Sequence, residues 1–142
     1  MIIGNGMIAK AFVSSQLDKQ GIFIFASGVA NSATTNKEDF LREKIFLIQY
    51  LKKCSPSEIF LYFGTCSIYD PSAQLSDYVK HKVNMENIVL AHSAGMVIRL
   101  PQVAGPGANA HTLLRFLCNR ISEKKEFNVW KKMLHLQLES SF

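Results

Sequence analysis

The chain of 142 residues contains little cysteine and no long apolar run. Cys54, Cys66 and Cys118 are odd in number, far apart and not spaced as metal ligands, so we expect reduced thiols rather than disulfides or a metal site. Although 48% of the residues are apolar, no stretch approaches the roughly 20 apolar residues that cross a bilayer. The N-terminus also lacks the basic region and cleavage site of a signal peptide. The composition therefore predicts a cytoplasmic protein without a membrane segment.

Acidic residues are outnumbered by basic ones, which gives a formal net charge of +5. The excess is concentrated in the C-terminal quarter, at Arg115, Arg120, Lys124, Lys125, Lys131 and Lys132. No helix-turn-helix, zinc or RNA-binding motif accompanies these residues, so we expect no nucleic-acid partner. An anionic nucleotide sugar or dinucleotide would also favour a positively charged protein.

Apolar segments with the lengths of strands alternate with segments of helical periodicity. Strands are predicted at 1–3, 22–26, 59–63 and 96–100, and helices at 7–17, 38–53, 78–91 and 111–121. The strand at 59–63 is apolar throughout, as is typical of a parallel strand buried on both faces. This alternation predicts an α/β fold with a parallel sheet whose connections are right-handed.

The first strand runs directly into a glycine turn. Gly4, Gly6 and Ala9 form a GxGxxA pattern between an apolar strand and a helix. Such a turn presents backbone N–H groups to a pyrophosphate, and its glycines leave room for the ligand to approach. Tight packing of a strand against a helix also requires small residues, so the turn alone leaves both interpretations open.

A tyrosine and a lysine four residues apart form the second motif. Tyr78 and Lys82 share one face of the predicted helix, which would let the lysine ammonium stabilise the ionised phenol. With a nearby hydroxyl, the pair forms a proton relay suited to oxidising or reducing a carbinol. Short motifs of this kind also arise by chance. His81 is expected to be a surface or packing residue.

The order of these motifs resembles the extended short-chain dehydrogenase/reductase family, in its NAD-dependent epimerase/dehydratase branch. After the glycine turn come the strand and small-residue turn 23–28, the strand and Ser/Thr-rich stretch 60–70, the YxxxK pair, and the Arg-Leu-Pro segment 99–107. The resemblance implies a Rossmann-like fold, in which a doubly wound parallel sheet forms the middle of three layers. It also implies a protein that acts on nucleotide sugars in a pathway of surface-polysaccharide synthesis. It covers residues 1–133 as an NAD(P)-binding domain, and 134–142 form an atypical tail. The resemblance is also compatible with a protein that forms a homodimer.

The resemblance also implies roles for individual residues. Tyr78 would be the acid/base, Lys82 would lower the pKa of Tyr78 and orient the nicotinamide ribose, and Thr65 would polarise the sugar hydroxyl. Ser67 remains an alternative to Thr65. The residues implied to bind the cofactor are Gly4, Gly6, Met7, Ile8, Ala26, Ser27, Gly28, Tyr78, Lys82, Pro101 and Val103.

The chain departs from the family pattern in its second strand. The acidic residue that holds the adenine ribose is missing, since Asp18 comes too early and the next strand follows at once. We therefore expect NAD or NADP to bind weakly, with the choice between them open. The portion that encloses the sugar is not recognisable either. An alternative hypothesis is a non-catalytic remnant of the dinucleotide fold that serves as a binding or dimerisation module.

Overall fold

The structure, a computed structural model, describes residues 1–13, 15, 17, 21–101, 103 and 113–127, and of residues 113–115 only the backbone. Strands and helices alternate along the chain. The strands are β1 (Ile2–Ile3), β2 (Ile22–Phe25), β3 (Ile59–Thr65) and β4 (Gly95–Leu100). The helices are α1 (Met7–Phe12), α2 (Lys37–Leu51), α3 (Asp77–Leu90) and α4 (Leu113–Ser122), and a short 3-10 helix, Cys66–Tyr69, follows β3. The predicted α/β alternation is confirmed.

The four described strands form one open, parallel sheet in the order β1-β2-β3-β4. Ile24 of β2 pairs with Ile2 of β1 and with Leu61 of β3, and Leu61 pairs with Met96 of β4. The side chains of Phe23 to Phe25 and Phe60 to Phe63 are buried, because helices cover both faces of the central strands. The parallel arrangement brings the carboxyl ends of all four strands to one edge of the sheet.

Helices cover opposite faces of this sheet. On one face, Leu47 of α2 and Met85 of α3 pack with Phe25, Phe60 and Tyr62. On the other face, Ile8 and Phe12 of α1 pack against the buried side chains of Ile24, Leu61 and Phe63. The predicted three layers are therefore present in the described part of the chain.

The winding of the sheet differs from the prediction. Each successive strand is added on the same side of the previous one. A doubly wound sheet is marked by a reversal of strand order, and the described strands show no such reversal. Since α1 lies on one face and α2 on the other, the β1–α1–β2 and β2–α2–β3 connections have opposite handedness. The expectation that every connection is right-handed is therefore wrong for one of them.

Two predicted helices differ at their ends. Helix α1 ends at Phe12 rather than Leu17, because the Ser15 hydroxyl donates to the carbonyl of Phe12 at 2.7 Å and competes with helical hydrogen bonding. Leu17 nevertheless packs beside α1 on the same face of the sheet. The predicted start of the last helix at His111, the acid Asp18 and the tail 134–142 lie outside the described residues.

Candidate functional site

The predicted site residues lie at the carboxyl edge of the sheet. Gly4 and Gly6 follow β1, Ala26 to Gly28 follow β2, Thr65 ends β3, and Pro101 and Val103 follow β4. Helices α1 and α2 leave β1 and β2 for opposite faces of the sheet, and the carboxyl ends of such neighbouring strands are where open α/β sheets bind ligands. The topology thus brings together residues separated by up to 99 positions of sequence.

The glycine turn after β1 is built against the end of β2. Gly4 has a φ of +122°, which side chains rarely adopt, and a Cβ there would collide with the carbonyl oxygen of Ala26. A Cβ on Gly6, by contrast, would meet no protein atom within 4 Å. Gly4 is therefore explained by packing within the protein, whereas the open space at Gly6 is free for a ligand.

Thr65 and Tyr78 meet at the end of β3. Thr65 is buried, and its hydroxyl lies 3.1 Å from that of Ser67 and accepts a hydrogen bond from the Ser67 N–H. Tyr78 lies in the first turn of α3, which begins where the Ser76 hydroxyl accepts a hydrogen bond from the Val79 N–H. Burial and the Glu43 charge raise the pKa of the Tyr78 phenol, and a side-chain hydrogen bond with Thr65 opposes that rise.

Lys82 lies one helical turn after Tyr78 and is only 3% exposed. Its ammonium donates to Glu43 Oε1 at 3.0 Å and to the Tyr62 hydroxyl at 3.1 Å. The same nitrogen lies 5.8 Å from the centre of the Tyr78 ring, within the range of a cation–π contact. The structure therefore brings Lys82 and Tyr78 together, but the hydrogen bonds of the lysine go elsewhere.

Glu43 of α2 is the residue that the sequence analysis missed. Its buried carboxylate accepts four hydrogen bonds, from Tyr62 Oη at 2.7 Å, Lys82 Nζ at 3.0 Å, the Val29 N–H at 2.7 Å and His81 Nε2 at 3.0 Å. Burial alone would raise the pKa of Glu43, but the His81 hydrogen bond, the Lys82 charge and the remaining donors outweigh it and lower the pKa to about 2. A buried carboxylate that is ionised at neutral pH therefore lies beside the site lysine.

The Glu43 carboxylate reverses one predicted electrostatic effect. We expected the Lys82 ammonium to lower the pKa of Tyr78, yet that pKa is raised, because burial and the negative charge of Glu43 dominate. Tyr62, which bonds to both Glu43 and Lys82, also has a raised pKa through burial and the Glu43 charge. In this structure both phenols are therefore proton donors at neutral pH.

The loop after β2 contacts this charged cluster. A Cβ on Gly28 would lie 2.6 Å from Lys82 Nζ and 2.9 Å from Glu43 Oε1. The Val29 N–H donates to Glu43 from the next position. The loop that was predicted to bind the cofactor is thus fixed directly to the lysine and its carboxylate partner.

The positions of three other residues, Ile8, Pro101 and His81, follow from packing and strand pairing. Ile8 is partly buried and packs against the apolar cluster under α1. Pro101 follows Leu100, which pairs with Thr65, so the end of β4 lies beside the end of β3. His81 stacks on Phe40 at 4.6 Å and bonds to Glu43, in agreement with its predicted packing role.

A second buried carboxylate, Glu86, lies further along α3. It pairs with Arg99 at 2.8 Å, and the Arg99 side chain is 36% exposed. Arg99 also donates to the Tyr69 hydroxyl at 2.7 Å, and both residues line an open hollow of about 390 Å³ with Leu90 and Val97. A side chain on Gly64 would collide with Glu86, which explains the glycine at this position. None of the predicted catalytic or cofactor-binding residues lines this hollow.

The low pKa of Glu43 predicts how stability depends on pH. Because the pKa falls from 4.5 to about 2 on folding, the ionised carboxylate stabilises the fold above about pH 4.5 and loses this effect as the pH falls towards 2. The shift corresponds to about 3 kcal/mol. Urea unfolding at several pH values should show that the free energy of unfolding falls less steeply in Glu43→Gln than in the wild type over this range. Parallel pH profiles of the two proteins would contradict the assignment.

Comparisons with protein-family models, with curated proteins and with solved structures give no match. Among the described residues, no cluster of histidine, cysteine and acidic side chains could hold a metal ion. In the same part of the chain, no helix has the length and apolar character needed to span a membrane. The functional assignment therefore depends on the geometry of the site and on the resemblance of its motifs.

Proposed function

We propose that the protein is an NAD(P)-dependent oxidoreductase of the epimerase/dehydratase type, acting on a hydroxyl of a nucleotide sugar. The observation that supports this most is the convergence of Thr65, Tyr78 and Lys82 with the Gly4 turn and the Gly28 loop at one edge of a parallel sheet. A Rossmann-like assignment of the sheet forms part of the same proposal. A surface-polysaccharide pathway would supply substrates of this class.

The chemistry proposed for the site is transfer of a proton and a hydride. NAD or NADP would accept the hydride from the carbinol carbon of the sugar. In that direction the Tyr78 phenolate would accept the hydroxyl proton, and in the reverse direction the neutral phenol would return it, while Thr65 would hold the sugar oxygen by a hydrogen bond. Since the Tyr78 pKa is raised in this structure, the phenol is protonated and can serve as the proton donor in the reductive direction, whereas the oxidative direction requires the positive nicotinamide ring or Lys82 to favour the phenolate.

Cofactor binding is expected to be weak. The open turn at Gly6 provides space for a pyrophosphate, but the sequence lacks the carboxylate that would hold the adenine ribose about twenty positions after the glycine turn. A missing charged hydrogen bond of this type costs about 1.5 to 3 kcal/mol, or roughly tenfold to a hundredfold in affinity. We therefore propose that NAD and NADP bind with dissociation constants in the micromolar range or above.

Gly6→Val tests where the cofactor binds. A Cβ at this position meets no protein atom within 4 Å, so the fold should be retained, but the side chain would occupy the space proposed for the pyrophosphate. We expect calorimetric titration to show saturable NADH binding to the wild type and none to Gly6→Val. Lys10→Ala, an exposed change on the same short helix, is the matched control and should bind like the wild type. Unchanged NADH affinity in Gly6→Val would refute this placement of the cofactor.

The alternative proposal is a non-catalytic dinucleotide-fold module. One observation favours it: the Lys82 hydrogen bonds described here go to Glu43 and Tyr62, and Tyr78 carries a raised pKa. Under this proposal the Tyr–Lys pair stabilises the fold and performs no chemistry. The two proposals share the expectation of weak cofactor binding and differ only in turnover.

Turnover of nucleotide sugars separates the two proposals. The protein would be incubated with NAD and a panel of nucleotide sugars, and formation of NADH and of epimerised or dehydrated sugar would be measured. The enzyme proposal predicts product whose formation requires Tyr78. Binding of NADH without any Tyr78-dependent product would support the non-catalytic module instead.

A further inference from the structure

We propose that Glu43 is a positioning residue of the site, which holds the Lys82 ammonium and the loop after β2 in a fixed arrangement. This inference rests on the proposed function, because it describes how the protein would bind the cofactor. Glu43 itself is 1% exposed and is therefore not proposed to touch the substrate or the reacting atoms.

The two oxygens of Glu43 divide their contacts between two parts of the site. Oε1 accepts from Lys82 Nζ at 3.0 Å and from the Tyr62 hydroxyl at 2.7 Å. Oε2 accepts from the Val29 N–H at 2.7 Å and from His81 Nε2 at 3.0 Å. One carboxylate thus connects α2, β3, α3 and the loop that follows β2.

Burial makes this arrangement specific. A charged carboxylate loses its hydration when it is buried, so it is stable only when its oxygens are fully bonded. The ammonium of Lys82 has three N–H donors, of which Glu43 and Tyr62 take two. The direction of the third donor is fixed because the other two are held, and a ribose hydroxyl is its proposed acceptor.

The Gly28 loop is fitted to the same pair of charges. Since a Cβ at Gly28 would lie 2.6 Å from Lys82 Nζ, the backbone of the loop passes directly over the ammonium. Moving Lys82 would therefore also move the surface on which the cofactor is proposed to lie.

The first test follows the Lys82 ammonium by NMR in protein labelled with ¹⁵N-lysine. A buried, hydrogen-bonded ammonium exchanges its protons slowly, so the wild type should show a Lys82 signal that is absent from Lys82→Ala. Glu43→Gln should retain the fold by circular dichroism and lose this signal. Glu86→Gln removes the charge of another buried carboxylate without touching Lys82, and it should keep the signal. Persistence of the signal in Glu43→Gln, or its loss in both variants, would overturn the inference.

The second readout is cofactor affinity. NADH should bind at least tenfold more weakly to Glu43→Gln than to the wild type, and within about twofold of wild type to Glu86→Gln. If NADH does not bind the wild type, the proposed function fails, while the Lys82 signal still decides the role of Glu43. Should Glu43→Gln not fold, Glu43→Asp keeps the charge but is too short to hold Lys82. That variant should then lose the Lys82 signal, and a retained signal would contradict the inference.

Discussion

Tyr78→Phe is expected to lower the rate of product formation by roughly 10² to 10⁴-fold, the usual contribution of a positioned acid/base. The change removes one hydroxyl and leaves the ring that lies beside Lys82. NADH affinity should therefore stay within about threefold of the wild type. Steady-state assays with the nucleotide sugar that gives product, combined with NADH titration, would measure both effects.

Tyr69→Phe is the matched control for this variant. Tyr69 is exposed, bonds to Arg99, and lies outside the Tyr78–Lys82 pair. Its loss of a hydroxyl should leave turnover nearly unchanged. Equal activity of Tyr78→Phe and the wild type would reject Tyr78 as the acid/base and would favour a structural role for the Tyr–Lys pair.

Glu43→Ala should be the most destabilising single substitution at the site. It removes the partner carboxylate and leaves the ammonium of Lys82 buried, and loss of one member of a buried ion pair costs about 3 to 5 kcal/mol. It also removes an acceptor from Tyr62 and from the Val29 N–H. Urea unfolding would show this loss of stability as a lower midpoint concentration of urea.

Two further variants show whether the unpaired charge is the cause. Glu86→Ala should cost less, because its partner Arg99 is partly exposed and can be rehydrated. In Glu43→Leu/Lys82→Met, both charges are replaced by apolar side chains, and much of the stability should return. If this double variant were no more stable than Glu43→Ala, the destabilisation would have to arise from lost packing rather than from the buried charge.

The fold was predictable from the sequence to a large extent. Burial determines where apolar residues occur along the chain. The order of these residues therefore predicts the strand at 59–63 and the helix at 38–53. The handedness of the connections was not predictable, because it depends on which face α1 covers, and the apolar residues of α1 would fit either face. The early end of α1 arises from a side-chain hydrogen bond at Ser15, a local competition that periodicity does not reveal.

The site was predictable only for residues with a recognisable motif. Tyr78 and Lys82 were identified from their spacing and Thr65 from the family resemblance, and the structure brings the three together. Glu43 was missed because it lies 39 residues before Lys82, on a helix where a charged residue is normally exposed. One signal was available: Glu43 shares a helical face with Leu47 and Leu51, which are buried. The raised pKa of Tyr78 follows from its burial and, secondly, from the Glu43 charge, and neither could be read from the spacing of Tyr78 and Lys82.

A crystal structure of the protein with NADH would test the central claim most directly. We expect the pyrophosphate to lie over the turn from Gly4 to Gly6, and a hydroxyl of the nicotinamide ribose to accept a hydrogen bond from Lys82. The nicotinamide ring should then lie beside the Tyr78 hydroxyl. NADH bound elsewhere on the protein, or no bound NADH at saturating concentration, would contradict the claim that these residues form one cofactor site.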